Sequence, residues 1–79
     1  MKMTNIGNSN YLQVSKIVVI ADNDTNPIRR LISEAKERGK YIDTTRGKKT
    51  LSVIVTDSGQ VIASSVDRRT IAKRIEEGY

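Results

Sequence analysis

Leu51-Ser52-Val53-Ile54-Val55-Thr56-Asp57-Ser58-Gly59-Gln60-Val61-Ile62-Ala63-Ser64 is the stretch whose reading decides the fold. Val53 and Val55 alternate with Ser52, Ile54 and Thr56, the period of two that sends successive side chains to opposite faces of a strand. Asp57-Ser58-Gly59 is a hairpin turn signal, and Gln60-Val61-Ile62-Ala63-Ser64 is the returning strand.

Upstream, Asn26-Pro27 opens a helix: Asn26 is the expected cap and Pro27 the first helical residue. Ile28, Leu31, Ile32 and Ala35 share one face, Arg29, Arg30, Glu34, Lys36, Glu37 and Arg38 the other, and Gly39 is the stop. Tyr41-Ile42-Asp43 reads as a short strand, followed by the loop Thr44–Lys49. Downstream of the hairpin, Asp67 is the expected cap of a second helix. Val66 packs back on Ile71 as a hydrophobic staple, Ile71, Ala72 and Ile75 form the apolar stripe, and Gly78 ends it.

Nearer the start, Ile17-Val18-Val19-Ile20 is a continuous β-branched run, the signature of a strand covered on both faces. Tyr11–Val14 reads as a short edge strand. The residues up to Asn10 read as turn or loop, with Ile6 alone as an anchor. The order of strands, helix, hairpin and helix predicts one α+β domain over residues 1–79, with a small, mostly antiparallel sheet and two helices.

A chain of 79 residues builds a modest core, and with neither Cys nor His it lacks disulfides and the best transition-metal ligands. Self-association is the remaining support. Apolar side chains on both faces of Ile17–Ile20 and Leu51–Val55 point the same way, because two helices cover only part of that surface. A strand face or edge is therefore expected to be buried against another subunit, in a homo-oligomer. The competing reading places the helices on opposite faces of a complete monomer.

The missing His and Cys also remove the common acid–base and nucleophile sets, and the expectation is a non-enzyme without a cofactor. No stretch approaches the ~20 apolar residues of a membrane span and no secretory leader opens the chain, so a cytoplasmic protein is expected. The 14 Lys and Arg against 9 Asp and Glu, a net charge of +5, favour a polyanionic partner.

That charge is most concentrated at Arg46-Gly47-Lys48-Lys49, three cations in four residues. It is no nucleotide-binding phosphate loop: that pattern needs Gly at position 42 and Ser or Thr at 49, where Ile42 and Lys49 stand. Against a nucleic-acid backbone it fits better. Gly47 lets the main chain approach a phosphate, and Thr44, Thr45 and Thr50 add hydroxyls. Three Tyr and no Phe or Trp leave little for base stacking, which favours double-stranded DNA over single strands. Arg68-Arg69 with Lys73-Arg74, beside Glu76 and Glu77, read better as a plain solvated helix face, and Arg29-Arg30 is ambiguous in the same way.

Asn5-Ile6-Gly7, Asn26-Pro27-Ile28-Arg29-Arg30, Glu34-Ala35-Lys36-Glu37-Arg38-Gly39, Ile42-Asp43-Thr44-Thr45, Gly47-Lys48-Lys49-Thr50 and Thr70-Ile71-Ala72-Lys73-Arg74 occur in that order. Together they resemble the small bacterial RemA-like family, regulators of biofilm-matrix genes, over nearly the whole chain. The resemblance implies a transcriptional regulator that assembles into a ring and presents basic residues to duplex DNA. It places DNA contacts at Lys48, Lys49 and Lys16, with Arg46 beside the loop and Lys16 close by, and makes Pro27 a structural position. The chain departs from the pattern with Lys for Arg at 16, 48 and 49, which keeps the charge but loses the planar guanidinium fork. It also has Arg46 for Tyr, Leu51 for Arg, and Asn8-Ser9 in a stretch otherwise rich in glycine. These departures motivate a second expectation, an oligomeric scaffold that modulates a paralogous regulator and touches DNA little.

Overall fold

A computed structural model describes residues 1–78. The order is β1 (Met3–Gly7), β2 (Asn10–Gln13), a 3₁₀ turn (Val14–Lys16), β3 (Ile17–Asp22), α1 (Asn26–Glu37), β4 (Tyr41–Asp43), β5 (Ser52–Thr56), β6 (Val61–Ser64) and α2 (Arg68–Glu77). The expected α+β class holds, with two sheets in place of one. A two-stranded antiparallel hairpin pairs β1 with β2, and a four-stranded sheet runs β3-β5-β6-β4. β3, β5 and β6 are antiparallel neighbours, while β4 lies parallel to β6, so the main sheet is mixed.

Consecutive residues of β5 and β6 sort the core into two halves. Ile54 and Ile62 join Ile6, Ile71 and the half-buried Leu12, Ile20, Val66 and Ile75, so the β1–β2 hairpin and α2 cover one face. Val53 and Val61 join Ala35, Ile28, Leu31, Ile32 and Tyr41, so α1 covers the other. The helices thus lie on opposite faces, as the monomer reading required. Ser52 and Ser64 are fully buried between these layers, and their hydroxyls donate to Val66 O and Ile6 O, each at 2.7 Å.

Several local expectations change. The residues before Asn10 form a strand, because Thr4 and Ile6 alternate inward and both are buried, at 0% and 2% exposure. Tyr11 and Leu12 pair with this strand instead of edging the main sheet. Helix α1 starts one residue early: Thr25 is its cap, its carbonyl accepting from Arg29 N at 3.0 Å, and its side chain makes no capping bond. Pro27 then follows Asn26 within the first turn, where a missing N–H costs nothing. In α2, Asp67 caps as expected by accepting from Arg69 N, and Val66 packs into the cluster that holds Ile71. Ala72, assigned to the apolar stripe, is exposed.

The largest change concerns β3. It is an edge strand, not one covered on both faces, because α1 lies over β4 and β6 at the other side of the sheet. Val18 and Val19 are left 62% and 44% exposed, beside an irregularity in the ladder between Ile17 and Val19.

Candidate nucleic-acid interface

The register of the sheet gathers the basic loop with several chain reversals at one end of the molecule. Asp22, the last residue of β3, pairs with Ser52, the first of β5, and Ser52 also pairs with Ser64, the last of β6. Helix α1 leaves from β3 and α2 from β6, so both helices start at this end and turn their positive dipole ends toward it. β4 ends here too, at Asp43 opposite Ala63, and releases the loop.

The loop is held at its root and turned outward at its tip. Thr44 N and Oγ1 both donate to Ala63 O, at 3.0 and 2.7 Å. Asp43 Oδ1 accepts from Thr45 N at 2.8 Å and from Thr45 Oγ1 at 2.6 Å. These bonds, the hydroxyl's first, hold the Asp43 carboxyl below its usual pKa, with Lys36 assisting more weakly. Lys48 N closes on Thr45 O at 3.1 Å around Arg46 and Gly47, whose φ values of 53° and 81° match the mirror-image turn of tight reversals.

Arg46, Gly47, Lys48 and Lys49 are all exposed, while Thr45 beneath them is buried. Among the described residues none of the three loop cations makes an ion pair; the pairs present are Lys16–Asp57, Arg29–Asp24 and Arg68–Asp22. Lys49 borders a shallow cleft with Asp22, Asn23, Asp24, Leu51, Asp67 and Arg68, so the positive surface is bounded by carboxylates on that side. Arg68, set aside as solvated surface, is thereby brought to the edge of the loop.

Lys16 is not close by. It precedes β3 and pairs with Asp57, just past the end of β5, at 3.9 Å through exposed side chains. From Ser52 to Thr56 the sheet runs roughly 13 Å, at ~3.3 Å per residue, so Lys16 and the loop occupy opposite ends.

The residue that sequence reasoning missed is Asn8. Its side-chain amide donates to Thr44 O at 2.8 Å and to Ser65 Oγ at 3.1 Å, tying the tip of the first hairpin to the root of the loop. The only signal was the substitution of Asn for glycine in a turn.

Among the described residues no helix is long and apolar enough to cross a membrane. The family model for RemA-like proteins, described as extracellular matrix regulatory protein A-like, matches residues 3–75. A protein of Geobacillus thermodenitrificans is 45% identical over 95% of this chain and 86% of its own length. One from Dictyoglomus thermophilum is 47% identical over 99% and 92%, and one from Alkaliphilus metalliredigens 47% over 95% and 81%. All three carry the name "Putative regulatory protein". With this match across almost its entire length, the chain belongs to the RemA-like family of regulatory proteins.

Proposed function

We propose that the protein is a homo-oligomeric, non-enzymatic transcriptional regulator of the biofilm-matrix type that binds duplex DNA through the Arg46–Lys49 loop. The observation that carries this reading is the set of exposed loop cations without ion-pair partners among the described residues, set at the end where both helices begin. Unpaired cations there meet phosphates without first breaking an ion pair, and the αL corner at Arg46-Gly47 brings main chain and side chains to the same surface. Each loop supplies few contacts, so affinity comes from several copies in a ring engaging one duplex, where later contacts are intramolecular. DNA spacing and bendability then supply specificity more than base-edge hydrogen bonds do. Since Lys16 lies at the far end of its own chain, it meets the duplex beside a loop only from an adjacent copy.

The test is binding to a labelled duplex of about 40 base pairs across a salt series, with particle mass measured by light scattering. The expected result is one large symmetric species whose affinity falls steeply with salt, the mark of counterion release from several phosphates. An oligomer indifferent to DNA at low salt would replace this reading with that of a scaffold for a paralogous regulator. The exposed β3 edge already favours self-association in either reading.

A further inference from the structure

The described chain has three non-glycine residues with positive φ: Asn8 at 54°, Ser9 at 67° and Arg46 at 53°. Such conformations carry local strain and persist only where the surroundings enforce them. Asn8 and Ser9 form the tip of the first hairpin, and Arg46 lies two residues beyond Thr44, which that tip contacts. Gly7 and Asn10 are paired across β1 and β2, so Asn8-Ser9 is a two-residue reversal of the primed type, which needs positive φ at both positions. Asn10 Nδ2 clamps that reversal by donating to Gly7 O at 3.1 Å and Asn8 O at 3.2 Å. Gly7 lets it sit close to the domain, since a Cβ there would come within 2.7 Å of Val66 Cγ2. The tip is thus fixed before it contacts the loop, and its contact is the bond from Asn8 Nδ2 to Thr44 O, 36 residues away.

Glycine would satisfy the backbone at position 8 at no steric cost. Asparagine tolerates the same conformation and adds a donor, and that donor is spent on the loop root and on Ser65. We propose that Asn8 is a positioning residue: through Thr44 it pre-orders the Arg46–Lys49 loop, and so sets the affinity of that loop for a polyanion. The second half of this statement rests on the DNA-binding reading above; the first does not. The mechanism is entropic. A root held from two sides, by Ala63 O and by Asn8, leaves the loop less to order on contact with phosphates, whereas one held by Ala63 and Asp43 alone keeps more freedom to lose during binding.

Asn8→Gly removes the tether while keeping the turn and the Asn10 clamp, and Ser65→Ala removes the other partner of Asn8 while leaving the bond to Thr44. For each protein, hydrogen exchange of the bonded loop amides, Thr44, Thr45 and Lys48, is measured without DNA, together with the urea unfolding midpoint and the salt-dependent affinity for the 40-base-pair duplex. Asn8→Gly is expected to speed loop exchange several-fold without a matching fall in the midpoint. It should weaken the duplex about three- to tenfold, the scale of immobilising one or two side chains on binding. The salt slope should stay the same, because the same phosphates are met. Ser65→Ala should leave both loop exchange and affinity within about twofold of the parent. Unchanged loop exchange in Asn8→Gly overturns the proposal, as does equal loosening by Ser65→Ala. Faster exchange with unaltered affinity, in a parent that binds DNA, overturns the link to binding. A parent that binds no duplex removes that link too, and is recognised as failure of the DNA-binding reading because the exchange data still report the tether.

Discussion

At the scale of single residues, the most informative side chain is one with nothing to do. Thr4 is fully buried in β1, and its Oγ1 has no hydrogen-bond partner among the described residues. A hydroxyl removed from water without a new bond costs about 1–3 kcal/mol. Valine has nearly the same shape and no such debt, and it suits a strand better. Thr4→Val is therefore expected to stabilise the protein by about 1 kcal/mol, read as a higher urea midpoint at unchanged slope. A loss of stability would mean that the Thr4 hydroxyl is satisfied inside the fold, by a buried water bridging it to a neighbouring carbonyl. The buried hydroxyls of Ser52 and Ser64 are the contrast, because each donates to a main-chain carbonyl and knits two layers together. Ser52→Ala or Ser64→Ala should therefore lower the urea midpoint.

At the scale of elements, the loop and its flanking strand make two predictions. The folded Asp43 carboxyl titrates below its usual range because two Thr45 groups donate to it. A depressed carboxylate stabilises the fold above its unfolded pKa, near 4, and that contribution disappears as pH falls through the folded value. Thr45 amide protection is expected to hold down to about pH 4 and to fade below it, and Asp43→Asn should remove this pH dependence. Amide exchange followed against pH in both proteins decides it; identical profiles would break the assignment. The tip is tested by Lys48→Ala with Lys49→Ala. These exposed side chains pack on nothing that holds the fold, so particle mass should stay and duplex binding should fall, with the salt slope lower by about one unit per lost phosphate contact. Normal binding would move the interface elsewhere. Much of this level was legible beforehand. The alternation of Val53 and Val55, the turn at Asp57-Ser58-Gly59 and the apolar stripe of Ile28, Leu31, Ile32 and Ala35 each carry their own periodicity. β1 was not legible, because its inward positions are Thr4 and Ile6, only one of them apolar. Three-residue β4 was legible as a strand, while its parallel partner was not, since pairing is a tertiary choice that Tyr41-Ile42-Asp43 does not encode.

At the scale of the whole molecule, the register decides what sequence proximity leaves open. The family resemblance assigns Lys16 and the loop to one DNA-facing surface, yet β3 and β5 are antiparallel, and Lys16 precedes one strand while Lys49 precedes the other. Antiparallel pairing sends such residues to opposite ends. The same sheet leaves two open edges, β3 with Val18 and Val19 exposed and β4 with Ile42 exposed at 41%. Two different edges on one sheet cannot both be satisfied by a two-fold dimer through a single patch. In the proposed homo-oligomer a head-to-tail contact would join one to the other, closing into a ring if its rotation permits. Unpaired β-branched edges are a hazard that natural proteins cover or charge, and Lys16, the cation just before β3, is paired with Asp57. Placing lysine at both Val18 and Val19 should block that edge without touching the core, because neither side chain is buried. The expected result is a folded protein of smaller mass in light scattering. Its duplex affinity should fall by more than tenfold with a shallower salt slope, since avidity is lost while each loop is intact. A variant that keeps the parent mass would place the subunit contact away from β3. One that becomes monomeric yet binds DNA as tightly as the parent would show that a single loop suffices, and the ring would then have no part in affinity.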